Sequence, residues 1–141
     1  EKYYIDKGDL LFAWSGTPGT SFGAHIWGGT KAVLNQHIFK VLIDEKKINK
    51  KFFMHLLNKN VGQYIQKAHG TAGLAHITKG KFEDSEIKIP SKEAQDKIVQ
   101  EIEFKFSVID KTGEVVDKAL GKAERLQKSI LKAAFEGKLA N

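Results

Sequence analysis

Residues 90–137 read PSKEAQDKIVQEIEFKFSVIDKTGEVVDKALGKAERLQKSILKAAFEG. After Pro90 the stretch has no further proline, Ser91 supplies an N-cap oxygen, and Gly113 and Gly121 are its glycines before Phe135. This predicts helix from Lys92 to about Phe135, either continuous or as two helices joined at a bend. Ile102, Ile109, Val116, Ala123 and Ile130 recur every seven residues, and Ala119, Leu126 and Ala133 follow the last three at a spacing of three, which is the seam of a coiled coil. Lys105 and Thr112 hold the corresponding places earlier and Phe106 falls one position on, so the register is expected to change near Gly113. A continuous helix spans roughly 60 Å. Such a rod cannot bury its own stripe, so it requires a partner helix from the same polypeptide, a second copy or another subunit.

Upstream of Pro90 the pattern changes to strands and turns. Leu10 to Trp14 is a short apolar run followed by Ser15-Gly16-Thr17-Pro18-Gly19-Thr20. Gly28-Gly29-Thr30 separates His25-Ile26-Trp27 from a second run, Ala32 to Ile43, in which Ile38 to Ile43 reads as a half-buried strand. From Asn49 the period is helical through Phe53, Leu56, Leu57, Val61, Tyr64 and Ile65, with Asn49 as N-cap and Gly70 as the stop. This helix is expected to pack on the sheet. Ser85 to Ile89 is a last strand candidate, ended by Pro90. The class is α+β: a small sheet-and-helix domain over residues 1–90, then a long coiled-coil-type helix over 91–141.

The 141 residues include no cysteine, which excludes a disulfide framework, a thiolate metal site and a cysteine nucleophile. The amino end shows no basic-then-apolar signal pattern, and the longest apolar run, Leu10 to Trp14, is far short of a membrane span. The expected location is the cytoplasm, away from any membrane. The net charge of +6 is concentrated early: residues 1–90 hold 13 Lys against 8 acids, whereas residues 91–141 hold 9 Lys and one Arg against 9 acids. A basic head beside a balanced helix suits a head that meets a polyanion and a helix that meets protein. Simple solubility charge gives the same count.

Several chemistries find no support. There is no Gly-Lys-Ser/Thr, so no phosphate-anchoring nucleotide loop, no Gly-x-Ser-x-Gly elbow, and no Asn-Pro-Pro-Tyr of an adenine methyltransferase. Asp84 with Glu86-Ile87-Lys88 matches the carboxylate-lysine pattern of magnesium nucleases, but Glu45-Lys46-Lys47 and Glu103-Phe104-Lys105 repeat it, so in a chain rich in Glu and Lys it reads as coincidence. Histidines 25, 37, 55, 69 and 76 show no compact ligand spacing. The chain reads as non-catalytic, with no metal and no cofactor of its own. Gly16-Thr17-Pro18-Gly19 reads as a tight turn.

What remains is a set of hydrogen-bonding residues on a basic body: Ser15, Thr17 and Thr20; Lys31, Asn35, Gln36 and His37; Thr71, His76, Thr78, Lys79 and Lys81. Asn and Gln amides match adenine edges in bidentate fashion, while Lys and hydroxyl groups suit phosphate oxygens. These residues are the candidate contacts to double-stranded DNA. Asn35-Gln36 is either base-reading or a structural pair closing a turn; Trp14 and Trp27 are either core residues or groove-side contacts.

Together these segments resemble the specificity subunit of type I restriction-modification enzymes. The resemblance runs through Gly8-Asp9-Leu10-Leu11-Phe12-Ala13-Trp14-Ser15-Gly16, Leu34 to Val41, Ile87-Lys88-Ile89-Pro90 with Gln95 and Ile98-Val99, and most sharply Arg125 to Leu139. Where the family often has two prolines and then Glu-Gln, this chain has Pro90-Ser91 and Ala94-Gln95. The resemblance implies the distal part of a target recognition domain over 1–90 and a spacer helix over 91–141. It also implies reading of one half of a split DNA target. Modification subunits, bound to the specificity subunit, would methylate adenine with S-adenosylmethionine, and restriction subunits would join through them. The helix would be a spacer, because half-sites on one face of B-DNA lie at least about 34 Å apart. Seven residues precede Gly8-Asp9 where a full recognition domain has many more, so the chain is expected to be the carboxy-terminal half of a subunit or a half-length version pairing with itself. The alternative is a coiled-coil interaction module or inhibitor that reads no DNA.

Overall fold

The structure, a computed structural model, describes residues 3–17, 20–63, 75–76, 79–83 and 86–139, with residues 75, 76, 79 and 81 described by backbone alone. Among these residues the chain forms β1 (Tyr4–Ile5), β2 (Leu10–Ala13), β3 (Ser15–Gly16), β4 (Gly23–Ile26), β5 (Ala32–Val33), β6 (Ile38–Lys40), α1 (Lys50–Lys59), β7 (Ala75–His76), α2 (Lys79–Glu83) and α3 (Lys92–Phe135). This is the expected α+β class. Two compact units, Glu1–Val99 and Gln100–Asn141, divide it.

In the first unit β2 is the centre of a three-stranded antiparallel sheet of order β4-β2-β6, and Phe12 stands between Ala24 on one side and Phe39 on the other. All four β2 residues are buried, which is why its sequence is an unbroken apolar run rather than an alternation. Leu10, Phe12, Phe22 and Ala24 form the core with Leu57 of α1. β1 and β5 form a separate two-stranded ribbon, as do β3 and β7. The expected strand from Ile38 to Ile43 pairs only over β6. One further bond, Val41 N to Leu10 O, follows, and Leu42 is then 83% exposed as the chain leaves the sheet.

Helix α1 begins as its sequence requires: the Asn49 Oδ1 accepts from the backbone N–H groups of Lys51 and Phe52. It ends earlier than the periodicity suggests. Asn60 N bonds to both the Leu56 and Leu57 carbonyls, a tightened last turn that closes α1 at Lys59, although residues 61–63 are again helical. Tyr64, Ile65 and Gly70 lie outside the described residues. Asn58 closes the outer edge of β4, its Oδ1 accepting from Ala24 N at 2.7 Å and its Nδ2 donating to Ala24 O at 2.9 Å. An amide side chain thus takes the place of a further strand on an edge otherwise open to pairing. Gly23 permits this approach, because its φ is +132° and a Cβ there would come within 2.7 Å of the Asn58 Oδ1.

Of the strand expected over Ser85 to Ile89, Ser85 lies outside the described residues and residues 86–89 form no strand. Residues 86–90 make no ladder; Ile87 packs on the core as irregular chain while Glu86, Lys88 and Ile89 stay exposed, so one inward side chain, not strand pairing, anchors the segment. Pro90 and Ser91 then start α3, with Ser91 Oγ accepting from Ala94 N at 3.4 Å. Its first two turns belong to the first unit, since Gln95 and Val99 are buried there. Gln95, 0% exposed, accepts at Oε1 from Asn49 N (2.8 Å) and donates from Nε2 to Lys47 O (3.0 Å) and Pro90 O (2.9 Å). Asn49 in turn donates from Nδ2 to Asp96 Oδ1 at 2.7 Å, so the residue that caps α1 also ties down the root of α3.

In the second unit α3 continues unbroken to Phe135, 44 residues in all and about 66 Å of helix. Of the two forms expected, a continuous helix or two joined at a bend, the continuous one is observed. One interior glycine costs only about 1 kcal/mol, and the back-bonds from the Ser107 and Thr112 hydroxyls to the Phe104 and Val108 carbonyls, of a kind that tends to bend a helix, leave this one continuous. Gly137, at φ +71°, ends the helix with bonds from Gly137 N to Ala134 O and Lys138 N to Ala133 O. Of the seam residues Ile109, Val116, Ala119, Ala123, Leu126 and Ile130 are exposed, Ile109 by 62% and Leu126 by 61%, while Ile102 and Ala133 are half-buried. Phe104, Phe106, Val108, Val115 and Leu120 are exposed as well. Among the described residues no helix is long and apolar enough to cross a membrane.

Candidate nucleic-acid interface

Three polar segments that are remote in sequence meet where β2 ends. Trp14, the residue after β2, donates its backbone N–H to His37 O at 3.1 Å, which brings the Asn35–His37 turn alongside. The next residue, Ser15, opens β3 and stands opposite His76 of β7. Ser15, Thr17, Asn35, Gln36, His37 and the His76 backbone therefore share one end of the sheet.

A row of rings supports that end. Phe82 of α2 lies 4.4 Å from Phe12 and 6.2 Å from Phe39; Phe39 stacks on Trp14 at 5.6 Å, and Trp14 meets His37 at 5.5 Å. Aromatic contacts of this kind add about 0.5–1.5 kcal/mol each beyond their burial. The row leads from the buried core to an exposed imidazole, so His37 rests on packed rings. Trp14 thereby acts as core support. Trp27 is likewise structural, its Nε1 donating to Thr30 O at 2.8 Å with Gly29 beneath its ring, where a Cβ would come within 2.7 Å.

The hydroxyl-rich turn after Gly16 divides into structural and available groups. Thr17 O accepts from the N–H groups of Thr20, Ser21 and Phe22, and the Thr20 Oγ1 donates to the same carbonyl. Ser21, which the sequence reading passed over, accepts from Thr17 N at 3.0 Å, and a Cβ on Gly16 would collide with its Oγ. The turn expected over Gly16 to Gly19 closes on Thr17 O, with Gly16 in β3 and Pro18 and Gly19 outside the described residues, and Thr20 uses its hydroxyl proton inside it. In the next segment Asn35 Oδ1 accepts from His37 N at 2.8 Å, closing an Asx turn, while Gln36 Nε2 lies 3.3 Å from His37 Nε2. Asn35 is thus the turn-former of the pair.

Lys31 is not brought to this end. It stands on the β1–β5 ribbon, its Nζ 5.1 Å from the centre of the exposed Tyr4 ring, a cation–π contact. Lys79 and Lys81 belong to α2, which Phe82 holds against the aromatic row. Their side chains, that of His76, and all of Thr71 and Thr78 lie outside the described residues. Glu86 and Lys88 are exposed, Asp84 is outside the described residues, and among the described residues no group of three His, Asp or Glu could hold a metal ion.

Toward the start of β2 the charges are paired. Asp9 Oδ2 meets Lys40 Nζ at 2.6 Å and accepts from Asp6 N at 2.8 Å. Partial burial works to raise the Asp9 carboxyl, but the Lys40 hydrogen bond, the Asp6 N–H and the charges of Lys40 and Lys50 in sum outweigh it and hold the group below its ordinary value. Asp96 is also held low, by its hydrogen bonds from Lys92 and Asn49 against a smaller opposing effect of burial.

The description "Type I restriction modification DNA specificity domain" belongs to the family model that matches residues 1–109. The chain is 26% identical over 139 residues to the type I restriction enzyme EcoBI specificity subunit of Escherichia coli, a match covering 99% of this chain and 28% of that protein. It is 29% identical over 105 residues to the StySPI specificity subunit of Salmonella potsdam, covering 73% of this chain and 23% of that protein. The chain therefore spans about a quarter of the length of these curated relatives. No solved structure matches it.

Proposed function

Since the chain belongs to the family of type I restriction modification DNA specificity domains, we propose that it is a non-catalytic DNA-reading module of a restriction-modification specificity subunit. The observation that carries this reading is the meeting of Ser15–Thr17, Asn35–His37 and β7 at one end of the sheet in a basic head. Neutral hydrogen-bonding groups on a firm base suit base edges, and lysines around them suit phosphates. In this reading the head takes one half of a split target. The exposed stripe on α3 receives a second helix and the methyltransferase subunits, through which restriction subunits join, and S-adenosylmethionine stays with the methyltransferase.

The test is an electrophoretic shift assay on the specificity subunit with its methyltransferase partner. Sequence-selective binding that weakens steeply with salt is expected, with a slope of about 0.9 per neutralised phosphate. Absence of selectivity on any genomic pool overturns the proposal. The apolar stripe on α3 also supports a second reading, a helix-docking module that touches no DNA. That reading prevails if charge reversal at Lys79 and Lys81, the lysines of α2 beside this end of the sheet, leaves both assembly and methylation target unchanged.

A further inference from the structure

We infer that Gln36 and His37 act as one composite reader that selects an adenine at a single position of the target, with Asn35 as the residue that positions them. The inference rests on the DNA-reading proposal and assigns a division of labour within it. Asn35 Oδ1 already accepts from His37 N at 2.8 Å, which holds the carboxamide in the Asx turn and leaves its oxygen one lone pair, so Asn35 is set to position the turn and is not free to swing its amide onto a base edge. Gln36 and His37 are both exposed, and their facing nitrogens lie 3.3 Å apart. The backbone beneath is fixed twice, by the Asx turn and by Trp14 N to His37 O, and the imidazole rests against Trp14.

The chemistry of the pair follows from its internal hydrogen bond. With Gln36 Nε2 donating to His37 Nε2, the ring proton sits on Nδ1, so Gln36 Oε1 is left to accept and His37 Nδ1 to donate. Turning the amide over exchanges these roles, and Gln36 then donates while His37 Nδ1 accepts. In either arrangement the pair offers a donor and an acceptor together. An adenine edge in the major groove presents the complement, an N7 acceptor beside an N6 donor, whereas guanine presents two acceptors and leaves the pair's own acceptor unmatched. Neither side chain carries formal charge while the imidazole is neutral, so the match is to a base rather than a phosphate.

The experiment is selection and sequencing of randomised duplexes by the specificity subunit with its methyltransferase partner. It compares the parent with Gln36→Leu and His37→Phe, the latter keeping a ring on Trp14. The expected result is that both variants relax the same position, an adenine in the parent motif, from strong preference to any base, with the rest of the motif intact as an internal check of folding. A second measurement needs no variant: 7-deazaadenine at that position, which lacks N7, should weaken binding by the parent roughly 10-fold and binding by Gln36→Leu little further. If the parent selects a motif but the variants leave every position unchanged, or 7-deazaadenine is tolerated throughout, the composite reader is wrong while DNA reading stands. If the parent selects no motif, both fall.

Discussion

At the residue scale, two amides, Asn58 and Gln95, hold the head together by taking backbone partners, and neither has a local sequence signature. Asn58 pairs with Ala24 across 34 residues of chain. Asn58→Ala leaves both polar groups of Ala24, itself 1% exposed, without that partner, so equilibrium urea unfolding should show a loss of about 2–4 kcal/mol. Asp9 makes a pH-dependent contribution. Because its folded-state pKa lies below the ordinary aspartate value of 3.8, its stabilisation is complete above that value and disappears as pH falls through the lower, folded one. Asp9→Asn should therefore cost about 1 kcal/mol at neutral pH, and its unfolding midpoint should converge on that of the parent in strong acid. The candidate site was legible to a similar degree. Ser15, Thr17, Gln36 and His37 stand out by type, but the spending of Thr20 on Thr17 O and of Asn35 on His37 N is decided by turn geometry that composition does not carry.

At the element scale, what could be read depended on how local the determining forces are. Helix α3 has a cap at Ser91, a sustained seven-residue period and a Gly137 terminus, all within reach of neighbouring residues, and its bounds are plain from the sequence. β2 was equally plain as an apolar run. The ribbons β1–β5 and β3–β7 are two residues per strand and owe their existence to pairing across 27 or more positions, so nothing local announces them. The false strand before Pro90 arose because Ile87 and Ile89 alternate like strand residues while only Ile87 finds the core. Gln95 makes α3's root part of the head, and Gln95→Ala should destabilise it by about 3 kcal/mol, since three backbone groups lose their partner in a fully buried place. Gln95→Glu sets a carboxyl toward the Lys47 and Pro90 carbonyls. Burial favours its neutral form, the folded state then binds the proton more tightly than the unfolded one, and the stability of this variant should rise as pH is lowered toward 4. Farther along, Gly121 has open space around its Cβ position and no left-handed backbone, so Gly121→Ala should add about 1 kcal/mol, read as a higher thermal midpoint of helix signal in circular dichroism.

At the scale of the whole molecule, the charge asymmetry and the apolar stripe describe two surfaces governed by different forces. The head concentrates the excess lysines, and any contact it makes with a phosphate backbone is weakened by salt through counterion release. The second unit exposes Ile109, Val116, Leu126 and Ile130 on a nearly neutral helix, and apolar association there is insensitive to moderate salt. With Ile102 at the first heptad place, Phe106 and Leu120 fall on one flank of the seam and Val108 and Val115 on the other, so the apolar arc is broader than the narrow seam of a two-stranded coil. Each fully covered Ile or Leu contributes about 1.5–3 kcal/mol, enough that Ile109→Asp with Leu126→Asp should abolish helix-mediated association, measured as molar mass by light scattering. The same double variant should leave the thermal unfolding of the head unchanged, because neither residue lies in the unit that ends at Val99. On the proposed function, raising salt from about 50 to 200 mM should reverse the pattern, weakening DNA binding by orders of magnitude while the assembly mass stays constant. A loss of assembly with salt in parallel with DNA binding would mean that the stripe is not what holds the subunits together.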